Sequence, residues 1–441
     1  MSLRDELRRR IDGTRFVDTH EHLIEERTRL AGPGAHRMLP CDDAALLFAH
    51  YAKDDLWSAG MRAEEASRFF SAEVEPRDKW PILAPYWERG RHTGYLRAVA
   101  ETMRILWGVE VLDGEAFVEV SDAMRAHAKP GFYRRLLNGP AGVEVAQVNS
   151  MEATFCESEQ PDLLQQDLSI VVFSTGVEPD AVAELGRRAG VANATTLDGW
   201  HQVIDWAFAT YGPRADAVKS QAAYQRRLDY APVPAEDAAP LFARMARGDA
   251  LAPAERKALE DHLVRYCVAR ADEYHLPVKL HCGYYAGVDR MPLERVRQNA
   301  GDVCGLLRDF PNARFVLMHI GYPYQDEYVA LAKHYRNVYV DLCWAWIIAP
   351  RACVRFVKEL LTAAPSNKLF TFGGDYANVE NVVGHAAVAR QGLCQALSEL
   401  VDEGWLRPDD ALALVEPLMR GNQRAAFPIF AAPIDRSRAG R

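Results

Sequence analysis

A chain of 441 residues, 49% apolar and 26% charged, can bury a large core as one big domain with insertions or as two ordinary ones. Its 52 basic and 61 acidic side chains give a net charge of -9, which weighs against nucleic acid or an anionic membrane as the main partner. The eight cysteines are scattered without a C-x-x-C pair, which excludes a zinc ribbon and gives no sign of a disulfide framework. The opening run MSLRDELRRR reads as a charged amphipathic helix without the apolar segment of a signal peptide, and no stretch approaches membrane-spanning length. The expected compartment is the cytoplasm.

The first β-type run is 16–22 (FVDTHEH), and others follow at 143–149, 168–174, 215–221, 277–282, 314–320, 337–343 and 369–375. Most are nearly continuous apolar runs, as parallel strands buried on both faces read. Helical patterns separate the later ones: Leu293, Val296, Val303, Leu306, Leu307 and Phe310 recur at helical spacing. Strand and helix alternating eight times predicts an α/β fold, a (β/α)8 TIM barrel, over a single domain of residues 1–441. A doubly wound open sheet fits less well, because no glycine-rich phosphate turn follows the first strand. Two segments exceed the barrel's needs: a large helical insertion at 24–140, after strand one, and a smaller one at 226–275, after strand four. Both follow strands and should rise over the face where barrel active sites lie. Trp57, Trp80, Trp87 and Trp107 in the first read as its core.

Chemistry-bearing residues gather at strand ends. His20 and His22 are one residue apart on strand one, so period-two geometry sends both imidazoles to one side, a good start on a divalent metal site. Strand five closes on His281, strand six on His319 and strand eight on Asp375, and in a parallel barrel all these ends meet at one rim. One such histidine would read as a satisfied core residue; four with an aspartate read as a site. Glu21 points to the opposite side of its strand and reads as structural. Cys282 turns away from His281 and reads as packing. Phosphate-loop, H-E-x-x-H and G-x-S-x-G signatures are absent.

The H-x-H of strand one, single histidines on strands five and six and an aspartate on strand eight resemble the amidohydrolase superfamily. The runs VKLHCG (278–283), HIGYPY (319–324) and NVYVDL (337–342), with Asn422, resemble its amidohydrolase-related branch. That branch includes amidohydrolase-like domains found beside glutamine synthetase domains, along with decarboxylases and hydrolases; this chain has no room for a glutamine synthetase portion. The resemblance implies that His20, His22, His281 and Asp375 hold a divalent metal, zinc foremost, with Asp375 as general base and His319 orienting or protonating the reacting group. It implies one ion, or two if Lys219, at the end of strand four, is carboxylated. Otherwise Lys219, with Tyr224, Arg226 and Arg227, suits a substrate carboxylate; the plain alternative is a lysine reaching solvent. The implied reaction is attack of metal-activated water on an amide, ester or lactone carbonyl of a small carboxylated molecule. The alternatives are non-oxidative decarboxylation of an aromatic or unsaturated acid, sugar-acid isomerisation of the uronate isomerase kind, disfavoured by His281, and a non-catalytic binding module. Related barrels often form homo-oligomers.

Overall fold

Eight parallel strands hydrogen-bond in chain order: β1 (Phe16–Glu21), β2 (Val143–Val148), β3 (Leu164–Ser169), β4 (Ala215–Ser220), β5 (Val278–His281), β6 (Phe315–Met318), β7 (Val338–Asp341) and β8 (Leu369–Phe370). They belong to a computed structural model that describes residues 2–287 and 291–428. Every neighbouring pair from β1–β2 to β7–β8 is parallel. The ring is drawn shut past the short β8, where Thr19 N donates to Phe372 O (3.0 Å), Asp375 N to His20 O (2.9 Å) and His22 N to Tyr376 O (3.0 Å). Inside the seam Phe16 stacks on Phe372 with ring centroids 4.6 Å apart. The expected (β/α)8 barrel is therefore what the chain forms, its strands apolar because helices cover them outside and side chains fill them inside.

One strand lies elsewhere than its apolar run suggests. The run 168–174 contributes only its first residues to a strand; Val171–Ser174 form a helical turn, whose Phe173 carbonyl accepts from Trp200 Nε1 at 3.0 Å. β3 begins earlier, with the polar sequence LQQDLS. A polar strand is tolerated because Asp167 is fully buried inside the barrel against Lys279 of β5, Nζ to carboxylate oxygens 2.8 and 2.9 Å. Periodicity reads apolar faces, and this strand turns a compensated charge inward.

Between β1 and β2 stand seven α-helices, among them Ala52–Ser58, Pro76–Gly90 and Gly94–Trp107; between β4 and β5 lie Ala235–Ala246 and Pro253–Glu273. Trp87 is buried, and Trp57, Trp80 and Trp107 are half-buried. The helix Gly94–Trp107 packs tightly on Val379–Asp402, the helix after β8: a Cβ on Gly384 would sit 1.9 Å from Ala98 O. Arg29, in the helix Glu26–Leu30, adds a buried ion pair to Glu380 of the same last helix at 2.9 Å. Among the described residues, no helix is long and apolar enough to cross a membrane.

Candidate metal centre

β1 carries His20 and His22 to the rim, and the backbone bonds that close the barrel bring Asp375 beside them. Asp375 Oδ1 lies 3.3 Å from His20 Nε2 and 3.3 Å from His22 Nε2, and all three side chains are buried. Ring orientation follows from the partners. His22 Nδ1 faces the Asn149 carbonyl at 2.7 Å; a carbonyl only accepts, so Nδ1 carries the hydrogen and Nε2 offers a lone pair. His20 Nε2 faces Lys219 Nζ at 2.9 Å; an ammonium only donates, so Nε2 is the acceptor. Two imidazole lone pairs and a carboxylate oxygen thus confront one another, and Asp375 Oδ1 has no hydrogen-bond partner. Lys219 Nζ and Gln221 Nε2 donate to the two imidazoles, and only the carboxylate oxygen of the three is left without a donor. A cation with tetrahedral bonds of roughly 2.0–2.2 Å would set its donor atoms about 3.3 Å apart, so these residues fit a divalent ion.

Electrostatics keep the imidazoles in the ligating form. Burial holds His20 and His319 well below the ordinary imidazole value and brings His22 and His281 to about 3, with the Lys219 charge reinforcing each. Burial pushes Asp375 up to about 7, opposed by Lys219 and by a hydrogen bond from the Tyr51 phenol. Lys219 itself is drawn down to about 8 by burial.

His281 departs from its expected place as a fourth ligand. The turn after β5 folds back so that His281 Nε2 donates to Tyr284 O at 2.8 Å, which leaves Nδ1 as the acceptor of a 3.0 Å bond from His319 Nε2. The donor cluster is His20, His22 and Asp375, with His281 and His319 paired on its flank and His319 Nε2 3.7 Å from Asp375 Oδ2.

With that geometry in view, the protein-family comparison is decisive: the model of the amidohydrolase family matches residues 175–427, from before β4 to the end of the described chain. The chain belongs to the amidohydrolase family. A curated relative, the protein FluG of Emericella nidulans, is 30% identical over 168 residues, 36% of this chain; the chain spans only 19% of that protein's length. Among solved structures, glucuronate isomerase from Caulobacter crescentus is similar at a TM-score of 0.76 and 16% identity, over 99% of this chain and 95% of that one. Uronate isomerase from Thermotoga maritima is similar at 0.75 and 15% identity, over 96% and 97%.

In this amidohydrolase the residues expected to grip a substrate acid divide. Lys219 is buried beside His20, so it does not reach solvent. Tyr224 lies over His281, ring centroids 4.7 Å apart, and its hydroxyl accepts from Ala286 N at 3.1 Å. Arg226 and Arg227 lie outside the site. Arg226 is held by Asp261 and by Glu260 at 3.1 Å, and Arg227 by Asp302 at 2.5 Å. Both line a surface cleft with Gly176, Asp229 and Lys257 instead. Their acidic partners come from helices dozens of residues away, which no local motif reveals.

Other residues at the centre carried no sequence signal. Tyr51, from the insertion, stacks 4.3 Å from Trp344, which in turn lies 5.5 Å from His319. Asp167 approaches His20 Nδ1 at 4.0 Å, and Gln221 Nε2 donates to His22 Nε2 at 3.2 Å. Asp341, at the end of β7, accepts from Thr19 Oγ1 at 2.6 Å. Its position at a strand end was the one available clue.

Proposed function

We propose that this family member is a metal-dependent hydrolase of small carboxylated molecules, with His20, His22 and Asp375 holding one divalent cation, zinc foremost. The reading is carried by the buried convergence of His20 Nε2, His22 Nε2 and Asp375 Oδ1, the carboxylate oxygen lying 3.3 Å from each imidazole nitrogen without a hydrogen-bond partner. A cation bound there supplies Lewis acidity, polarising a carbonyl and acidifying water. The protein does the rest. Asp375 takes a proton from the attacking water and delivers it to the leaving group. His319 Nε2–H, 3.7 Å from Asp375 Oδ2, is given to His281 Nδ1 at 3.0 Å, and it steadies a developing oxyanion by exchanging that bond for one to the oxygen. Lys219 supplies a buried cation for the substrate acid. Tyr51, Trp344 and Tyr376 wall the centre against water.

Sugar-acid isomerisation is the second reading. It is favoured by similarity along nearly the whole chain to two uronate isomerases, and a role for His281 as a ligand would oppose it. The test is one panel on protein of measured metal content: cleavage of carboxylated amides, esters and lactones, interconversion of glucuronate with its ketose, and carbon dioxide release from aromatic acids. Carbonyl cleavage abolished by Asp375→Asn supports the proposal. Ketose formation alone replaces it with the isomerase, carbon dioxide release alone with a decarboxylase, and protein that neither takes up metal nor turns over any substrate refutes all three.

A further inference from the structure

The backbone around Asp375 is gripped from β1 by two acids. Gly374 N donates to Asp18 Oδ1 at 3.3 Å, and Tyr376 N donates to Glu21 Oε2 at 2.6 Å. Between them, Asp375 N donates to His20 O at 2.9 Å, and Gly374 O accepts from His385 Nδ1 at 3.0 Å. Asp18 and Glu21 are fully buried and their carboxyl groups influence each other's proton affinity, although they are three residues apart on a strand. An irregularity in the β1–β2 register between Asp18 and Glu21 accompanies this approach. The Glu21 carboxylate is seated so closely on Gly374 that a Cβ there would lie 1.9 Å from Oε1. Asp375 itself has φ +61°, a left-handed conformation that a non-glycine residue keeps only when its surroundings impose it.

We propose that Asp18 and Glu21 are positioning residues that fix Asp375 in its ligating orientation by holding the two peptide N–H groups on either side of it. The inference rests on the reading of Asp375 as a cation ligand. It gives a role to the residue between the two histidines: His20 and His22 face the cation, while Glu21, on the other side of the strand, sets the third ligand. Groups that orient a metal ligand typically govern affinity by 10- to 100-fold.

The experiment titrates Zn2+ against a chromophoric chelator in the metal-stripped full-length chain and records the visible spectrum of the Co2+-loaded protein. Glu21→Ala should weaken Zn2+ binding about 10- to 100-fold and alter the Co2+ bands. Glu21→Gln should restore both, because its carbonyl can accept from Tyr376 N while its amide donates to Asp18. Leu83→Ala, a cavity in the helix Pro76–Gly90, should lower stability and leave affinity and spectrum unchanged. Should Glu21→Ala fail to fold, Glu21→Asp withdraws the carboxylate by one methylene and is expected to act in the same direction. Wild-type affinity and spectrum in Glu21→Ala, no rescue by Glu21→Gln, or an equal loss in Leu83→Ala would each overturn the positioning role alone. A wild-type chain that takes up neither ion would overturn it together with the metal-centre reading.

Discussion

Lys279 and Asp167 offer the sharpest energetic test of the barrel interior. Lys279 Nζ is bound by both Asp167 oxygens at 2.8 and 2.9 Å and by Thr19 O at 2.7 Å, and both side chains are fully buried. Removing one partner of such a pair strands the other charge without solvent, at a cost of about 3–5 kcal/mol. At roughly 2.1 cal/mol/K of unfolding entropy per residue, about 4 kcal/mol over 441 residues lowers the melting midpoint by about 4 °C. Asp167→Asn and Lys279→Met should each show this loss in urea denaturation and in thermal melts of the metal-free protein, where cation binding does not contribute. The joint variant Asp167→Asn/Lys279→Met should be more stable than either, because no lone charge remains. A loss below about 1 kcal/mol in Asp167→Asn, or simple additivity in the cycle, would refute the claim that this pair is what allows a polar β3.

Arg226→Met should cost about 1–3 kcal/mol, since it strips Glu260 of its cation while Asp261 keeps Lys257 at 2.6 Å. Arg227→Met, at a pair whose arginine is exposed although Asp302 is covered, should cost less, about 1 kcal/mol; neither should change kcat/KM, as urea denaturation and steady-state kinetics will show. His385 is buried, its pKa lowered by that burial to about 3 from the ordinary 6.5, so its neutral form stabilises the fold above about pH 6.5 and that contribution drains away as pH falls toward 3. Between pH 6.5 and 4.5 the stability lost should be smaller in His385→Gln than in wild type by about 2–3 kcal/mol, read by denaturation at both pH values. Gly384→Ala should destabilise by about 1–3 kcal/mol and expose the helix Gly94–Trp107 to limited proteolysis, because the new methyl would meet Ala98 O.

The strand ends were legible because parallel-barrel geometry is strict: His20, His22, His319 and Asp375 each close an apolar run, and the barrel leaves them one place to meet. His281 was legible as a neighbour and not as a donor, since the fold-back of Tyr284 onto its ring is a property of a turn, with no periodicity to announce it. β3 was misplaced because Asp167 is neutralised by a lysine 112 residues away. Tyr51 arrives from an insertion whose docking depends on Gly384 and Glu380, far along the chain. The arginines were the reverse case: their chemistry suited the expected role, and acids on other helices had already taken them.

The seam where β1 meets the segment after β8 has a consequence in time. The first strand and the last are synthesised some 350 residues apart (Thr19 Oγ1 bonds Phe372 O across 353), yet Asp375 owes its place to bonds with His20 and Glu21. A nascent polypeptide therefore has two of the three donors from the start and no cradle for an ion until nearly its whole length has emerged and the cylinder has shut. For a chain that holds a cation there, acquisition of the ion would follow closure of the barrel, and a loaded centre would mark a completed cylinder.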